Sequence, residues 1–256
     1  MSAANPVEVS LREGVATLTI HGAHAINIIG TREMNGLLQA GQRLRGEADL
    51  RLVILTGAPG QGFIGGADIG EMARLDPDSA RDFITRLHHV CRMLRTLPVP
   101  SIARIEGYCL GAGMEVAAAC DLRIGAAGSH YGMPEVQVGL PSVIEAVLLP
   151  TLIGWGHTRE LLYTGRVIGA EEAQRMGFLQ RVAPDGTLDN GLEPWRRDIL
   201  AAEPGAIRTQ KQLVELWLDA GAAHGIQASI EAFSATFQRP DAARRLQAFL
   251  NRKRRP

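Results

Sequence analysis

The sequence predicts an α/β fold that ends in a helical region, and three observations lead there. Short apolar runs of strand character alternate with helical periodicity up to about residue 150, and glycine-rich loops follow several of those runs. Beyond Gly154 helical spacing prevails.

Taken in order, "VEVSLREGVATLTI" (7–20) reads as two alternating strands around a turn at Glu13-Gly14, a small hairpin. Helical spacing covers 31–47, and "RLVILTG" (51–57) is a short apolar run closed by glycine, which suits a buried strand. In "PDSARDFITRLHHVCRMLRTLP" (77–98), Phe83, Leu87, Val90, Leu94 and Leu97 recur at spacings of three and four, with Asp78 or Ser79 as N-cap. A strand at 100–107, a helix after Gly113 and a strand at 121–127 follow. The later segments "HTRELLYTG", "GAEEAQRMG" and "LEPWRRDILAAE" are helical, as are "AIRTQKQLVELWLDA", "GIQASIEAFSATFQ" and "RPDAARRLQAFLNRKRR". Glycine or proline separates the last three, so the C-terminal fifth forms a helical appendage.

With 256 residues, 46% of them hydrophobic, 21% charged and a net charge of zero, the chain is an ordinary globular protein with no bulk attraction for nucleic acid. Cys91, Cys109 and Cys120 make neither an even disulfide framework nor a CxxC pair for zinc. The N-terminus lacks a signal-peptide pattern, and no uncharged run reaches the roughly 18 residues of a membrane span. A cytoplasmic protein without a membrane partner is expected.

Other chemistries fit poorly. The loop at 110–116 has Val116 where a dinucleotide fingerprint needs its third glycine, and neither a P-loop nor a GxSxG elbow occurs. The pairs His21/His24 and His88/His89 lack an accompanying carboxylate motif and read as surface or satisfied histidines, so no metal is expected. The basic end "NRKRRP" reads either as a solvated tail or as a counter-charge for a phosphate-bearing ligand.

Chemistry concentrates in "GYCLGAGMEVAAACD" (107–121), where Glu115 follows the last glycine of a loop that runs into an apolar helix. The first unpaired amides of such a helix favour an anion or a developing oxyanion. A second loop, "GFIGGADIGEM" (62–72), follows the strand at 51–57. If the Ala67 and Ala112 amides face each other, they form an oxyanion hole worth about 3 kcal/mol per donor. Alone, either loop is equally well a tight turn; Glu115 alone suits the helix dipole, and Glu135 alone is a loop charge.

The three segments "GFIGGADIGEM", "LPVPSIARIEGYCLGAGMEVAAACDLRIG" and "YGMPEVQVGLP", in this order and spacing, resemble the crotonase superfamily, in particular its enoyl-CoA hydratase/isomerase family. The likeness runs over essentially the whole chain. It implies a spiral of ββα units over residues 1–200 holding an acyl-CoA site. It also implies a helical trimerisation region over 201–256, giving a homo-oligomer that is a trimer or a dimer of trimers.

The resemblance assigns the oxyanion hole to the amides of Ala67 and Ala112 and catalysis to Glu115 and Glu135. Substrate contacts are implied for Ala25, Gly65, Gly66, Asp68, Ile69, Gly111, Gly113, Pro134, Gly139 and Ser142. No cofactor is implied, CoA being part of the substrate. Hydration of a 2-enoyl thioester needs a proton taken from water at Cβ and one supplied at Cα, which two carboxyls with separated proton affinities provide. Glu135 is read as the acid at Cα and Glu115 as the group that orients and activates water.

Family isomerases commonly use only the downstream carboxyl, so the presence of both favours a hydratase. A double-bond isomerase, another acyl-CoA dehydratase or hydrolase, and a non-catalytic acyl-CoA-binding protein remain alternatives. The chain departs from the family pattern in "VQVGLPSVIEAVLLP" (136–150), one residue shorter, with Ser142, Val143, Ile144 and Glu145 replacing small residues. Glu145 is expected to turn to solvent near a helix start, the alternative being a further acid/base group. The region before the first helix, with Asn27, also lacks the usual signature.

Overall fold

The computed structural model describes residues 5–24 and 26–237. Ala25, the last expected helical segment and the basic end lie outside the described residues. The chain divides into two compact units, residues 1–201 and 202–256.

The first unit is a ββα spiral around a six-stranded sheet. Strands β1 (Val7–Arg12), β2 (Val15–Ile20), β3 (Leu52–Gly57), β4 (Ser101–Ile105), β6 (Leu122–Ala126) and β9 (Arg181–Ala183) lie in that order. The β1–β2 hairpin is antiparallel and every later pairing is parallel. Strand β3 is buried on both faces, which explains its unbroken apolar run. Its Val53 and Leu55 join the main core, whereas Leu52 and Ile54 pack with Leu188, Leu192 and Trp195 of α7 (Leu188–Ala201).

Short segments crossing to a second layer connect the turns of the spiral. Strands β5 (Tyr108–Leu110), β7 (His130–Gly132) and β8 (Val167–Gly169) form a small sheet. Parallel bridges Ile64 to Cys109 and Ile29 to Ala67 continue that layer into the earlier turns. Fully buried Asn27 braces the first crossing: its side-chain amide donates to the carbonyls of Ile20 (3.1 Å) and Gly62 (2.9 Å), and its Oδ1 accepts from Gly22 N–H (2.6 Å).

Helix α1 (Thr31–Arg45) begins behind Gly30, and the α2 turn (Ile69–Met72) is capped by Asp68. Helix α3 spans Pro77–Arg95 and packs against α1. Its N-cap is Asp76, not Asp78 or Ser79: Asp76 accepts from the Ser79 amide (2.8 Å), Ser79 Oγ accepts from the Asp76 amide (2.9 Å), and Pro77 occupies the first helical position. Helix α4 (Ala112–Ala118) is buried along its whole length. Two 3-10 turns, Pro134–Val138 and Ile144–Leu148, precede α5 (Leu149–Thr164), and α6 (Ala170–Met176) leads to β9.

The second unit contains α8 (Pro204–Asp219) and α9 (Ala222–Thr236). They pack through Trp217, whose indole N–H donates to Ser229 Oγ (3.1 Å) and whose ring fills the space beside Gly225.

Candidate active site

The loops after β3 and β5 run side by side because the chain hydrogen-bonds itself into place. Ile64 N–H donates to the Tyr108 carbonyl and Leu110 N–H to the Ile64 carbonyl, both at 3.0 Å. On the other flank, Gly65 N–H donates to Asn27 O (2.7 Å), Ile29 N–H to Gly66 O (2.9 Å) and Asp68 N–H to Ile29 O (3.1 Å). These bonds use the amides of residues 64, 65 and 68 and leave that of Ala67. Ala112, the first residue of α4, likewise has no intrahelical acceptor. Among the described residues neither amide has a protein hydrogen-bond acceptor, and both alanines line one cavity of about 600 Å³.

Glycines make the close approach sterically possible. A Cβ on Gly113 would lie 2.2 Å from the Ile64 carbonyl oxygen, so the two loops meet only with glycine there. Gly111, at φ +51°, occupies a conformation that side chains disfavour, and its missing Cβ leaves room for Glu135 Oε1, which would sit 2.6 Å from it.

Glu115 and Glu135 line the same cavity. Glu115 enters from the first turn of α4 and is 3% exposed; its Oε1 is buried without a hydrogen-bond partner. Burial first, then the negative charge of Glu135, hold its proton up to about 8. Glu135 enters from the first 3-10 turn, and its Oε2 accepts a hydrogen bond from Ser142 (2.9 Å). A buried carboxyl and a second, hydrogen-bonded carboxyl at one cavity are a pair suited to moving one proton in each direction.

Of the remaining residues named from sequence, Gly65, Gly66, Ile69, Gly111, Pro134 and Ser142 line the cavity. Asp68, Gly113 and Gly139 do not: Asp68 caps the α2 turn, Gly113 makes the close contact with Ile64, and Gly139 ends a 3-10 turn at φ +80°. Glu145 departs from expectation. It is 3% exposed rather than turned to solvent, and its Oε1 accepts from His88 Nδ1–H at 2.9 Å. The backbone explains this: Ile144 has φ +38°, rare for a β-branched residue and costing about 1–3 kcal/mol, and the chain turns inward there.

The helix after Asp68 is expected from the family likeness to wall the site, but its individual side chains were not named from sequence. Ala80, Phe83, Ile84 and Leu87 of α3 line the cavity with Met72 and Leu75. Phe83 and Leu87 also serve the core, so periodicity alone counts them as packing. The available signal was Ile84 beside Phe83, which widens the apolar stripe beyond what contact with α1 requires. Among the described residues no group of three His, Cys, Asp or Glu side chains is arranged to hold a metal ion, and no helix is long and apolar enough to cross a membrane.

Two main-chain amides without acceptors and two carboxyls at one cavity, set in a ββα spiral, define the class. The chain matches the enoyl-CoA hydratase/isomerase family over residues 10–256 and belongs to that family. It is 30% identical to the short-chain-enoyl-CoA hydratase of Clostridium acetobutylicum, covering 95% of this chain and 94% of that one. Identity is again 30% with the crotonyl-CoA hydratase of Syntrophomonas wolfei, covering 94% of each. The crystal structure of an enoyl-CoA hydratase from Bacillus anthracis superposes with a TM-score of 0.91 at 29% identity, over 96% of both chains.

Proposed function

We propose that the protein is an enoyl-CoA hydratase, adding water across the 2,3 double bond of an enoyl-CoA thioester. The observation that carries this reading is the convergence of Ala67, Ala112, Glu115 and Glu135 on one largely apolar cavity. The two amides hold the thioester oxygen as negative charge develops on it. Glu135 delivers a proton to Cα while Glu115 orients water and accepts its proton as oxygen attacks Cβ. In the net reaction the C=C π bond and one O–H bond of water break, one C–O and one C–H bond form, and no metal, redox group or other cofactor is needed.

The carboxyls work as a pair that shares one proton. That proton rests on Glu115 in the empty site and is released as pH rises through about 8. The singly protonated pair, with the proton moved to Glu135, is the competent form, so kcat/KM falls as pH rises through about 8. Loss of crotonyl-CoA, followed through the absorbance of its conjugated thioester, tests the reading. Glu115→Gln and Glu135→Gln should each slow hydration at least about a hundredfold. Full activity in either variant removes that residue from the mechanism, and conversion of a 3-enoyl-CoA without 3-hydroxyacyl product would favour the isomerase.

The relatives' hydratase activities, at 30% identity over nearly the whole chain, support the choice. A homo-oligomer, a trimer or dimer of trimers, completes the proposal. Ile226, Ile230, Phe233 and Phe237 form an exposed apolar stripe along α9 that suits burial against another copy. Light scattering measures that state directly. Cytoplasmic residence fits three buried free cysteines.

A further inference from the structure

Behind Glu115 lies a second arrangement that the hydration scheme does not use. The 3-10 turn Ile144–Leu148 packs against both α4 and α3. The Glu115 carboxyl lies against this turn, feeling the Val143 and Ala146 backbone and the charge of Glu145. Glu145 Oε1 is held by His88, while its Oε2 is buried without a partner, as is Oε1 of Glu115. The His88 side chain is 41% exposed, so its ring connects a buried carboxylate to solvent. Neither Glu145 nor His88 lines the cavity.

We propose that Glu145 and His88 form a proton route behind Glu115, separate from the substrate cavity, through which Glu115 exchanges its proton with solvent. This rests on the hydratase reading. Each hydration leaves the shared proton on Glu115, where it also rests in the empty site, and the next attack on Cβ requires Glu115 to give it up. The proton of Glu115 passes to Glu145; His88, in the tautomer that carries its proton on Nε2, accepts it at Nδ1 as Nε2 releases one to water, and return to the Nδ1–H tautomer restores the resting contact. Glu135 regains a proton through the cavity once product has left, so the cycle balances. Both residues act through Glu115 and are positioning residues.

The groups facing this route are few. Glu115 comes from α4, Glu135 from the first 3-10 turn, and His88 and Cys91 from α3. Burial and the charges of Glu145 and Glu115 keep the Cys91 thiol protonated, so it adds no charge. The strained Ile144 backbone, at φ +38°, aims Glu145 into this gap.

Glu145→Gln is the decisive variant, because glutamine retains the acceptor for His88 and the side-chain volume but neither the charge nor the exchangeable proton. We expect kcat for crotonyl-CoA hydration to fall about tenfold with KM changed less than about twofold, an effect smaller than loss of a direct acid or base. His88→Ala should lose a similar factor and regain activity with added imidazole, which a merely structural defect does not do. Unchanged kcat in Glu145→Gln, or a His88→Ala loss that imidazole leaves untouched, overturns the proposal.

A substrate-free readout separates this outcome from failure of the hydratase reading. The infrared band of the protonated carboxyl that vanishes in Glu115→Gln should titrate at lower pH in Glu145→Gln, because a repelling negative charge is gone. A midpoint that does not move rejects the coupling whatever reaction the enzyme performs. A moved midpoint in a protein without hydratase activity supports the coupling and rejects the reaction.

Discussion

One wall of the cavity gets its chemistry from the backbone and the other from side chains. At 64–68 and 109–113 the groups are amides, fixed by five main-chain hydrogen bonds of 2.7–3.1 Å and by Gly113, whose neighbours leave no room for a Cβ. From 134 to 148 the groups are Glu135 on the first 3-10 turn and Ser142 between the two turns, with Glu145 of the second turn behind the wall; Glu135 is held by Ser142 and Glu145 by His88. In the proposed reaction the first wall stabilises charge, and the second moves protons and can be tuned one residue at a time.

The sharpest way to break the first wall is Gly113→Ala. The new Cβ would lie 2.2 Å from a backbone oxygen, so the loops must separate and both donors move. Hydration should fall about a thousandfold or more, and thermal unfolding should show a loss of about 1–3 kcal/mol. Near-normal kcat in a folded Gly113→Ala protein would show that the amides do not act together.

That contrast also explains what could be read from sequence. Glycine spacing reports backbone geometry directly, so Ala67 and Ala112 were legible from "GFIGGAD" and "CLGAG", and alternation or helical period located most strands and helices. The second wall was not legible in the same way. Whether Glu145 faces solvent or core depends on one dihedral angle, that of Ile144, and on a histidine 57 positions away in sequence. The Asp76 cap was missed for a smaller reason: Pro77 occupies the first helical position, and the cap lies one residue before it.

The buried proton of Glu115 should be visible in stability as well as in rate. Its proton affinity rises from 4.5 to about 8 on folding, so the folded state binds the extra proton between those values. The associated stability is fully present below about 4.5 and is lost as pH rises through about 8. A shift of that size is on the order of 5 kcal/mol. Glu115→Gln carries no such penalty, so in urea unfolding it should gain on the wild type as pH is raised from 5 to 9, even as activity is lost. A stability difference independent of pH would place the proton elsewhere in the pair.

The smallest effect is expected at Ser142, where the second wall holds one of its carboxylates with a single hydroxyl. Ser142 Oγ donates to Glu135 Oε2 at 2.9 Å and lines the cavity. Ser142→Ala leaves Glu135 the space beside Gly111 but removes the hydrogen bond that orients it. A neutral hydrogen bond of this kind is worth about 0.5–1.5 kcal/mol, so kcat should drop between about twofold and tenfold. KM should hardly change, since the hydroxyl acts on the proton donor rather than on the bound thioester. A larger rise in KM than fall in kcat would instead assign Ser142 to substrate binding, and Ser142→Thr, which keeps the hydroxyl, should then fail to restore the wild-type rate.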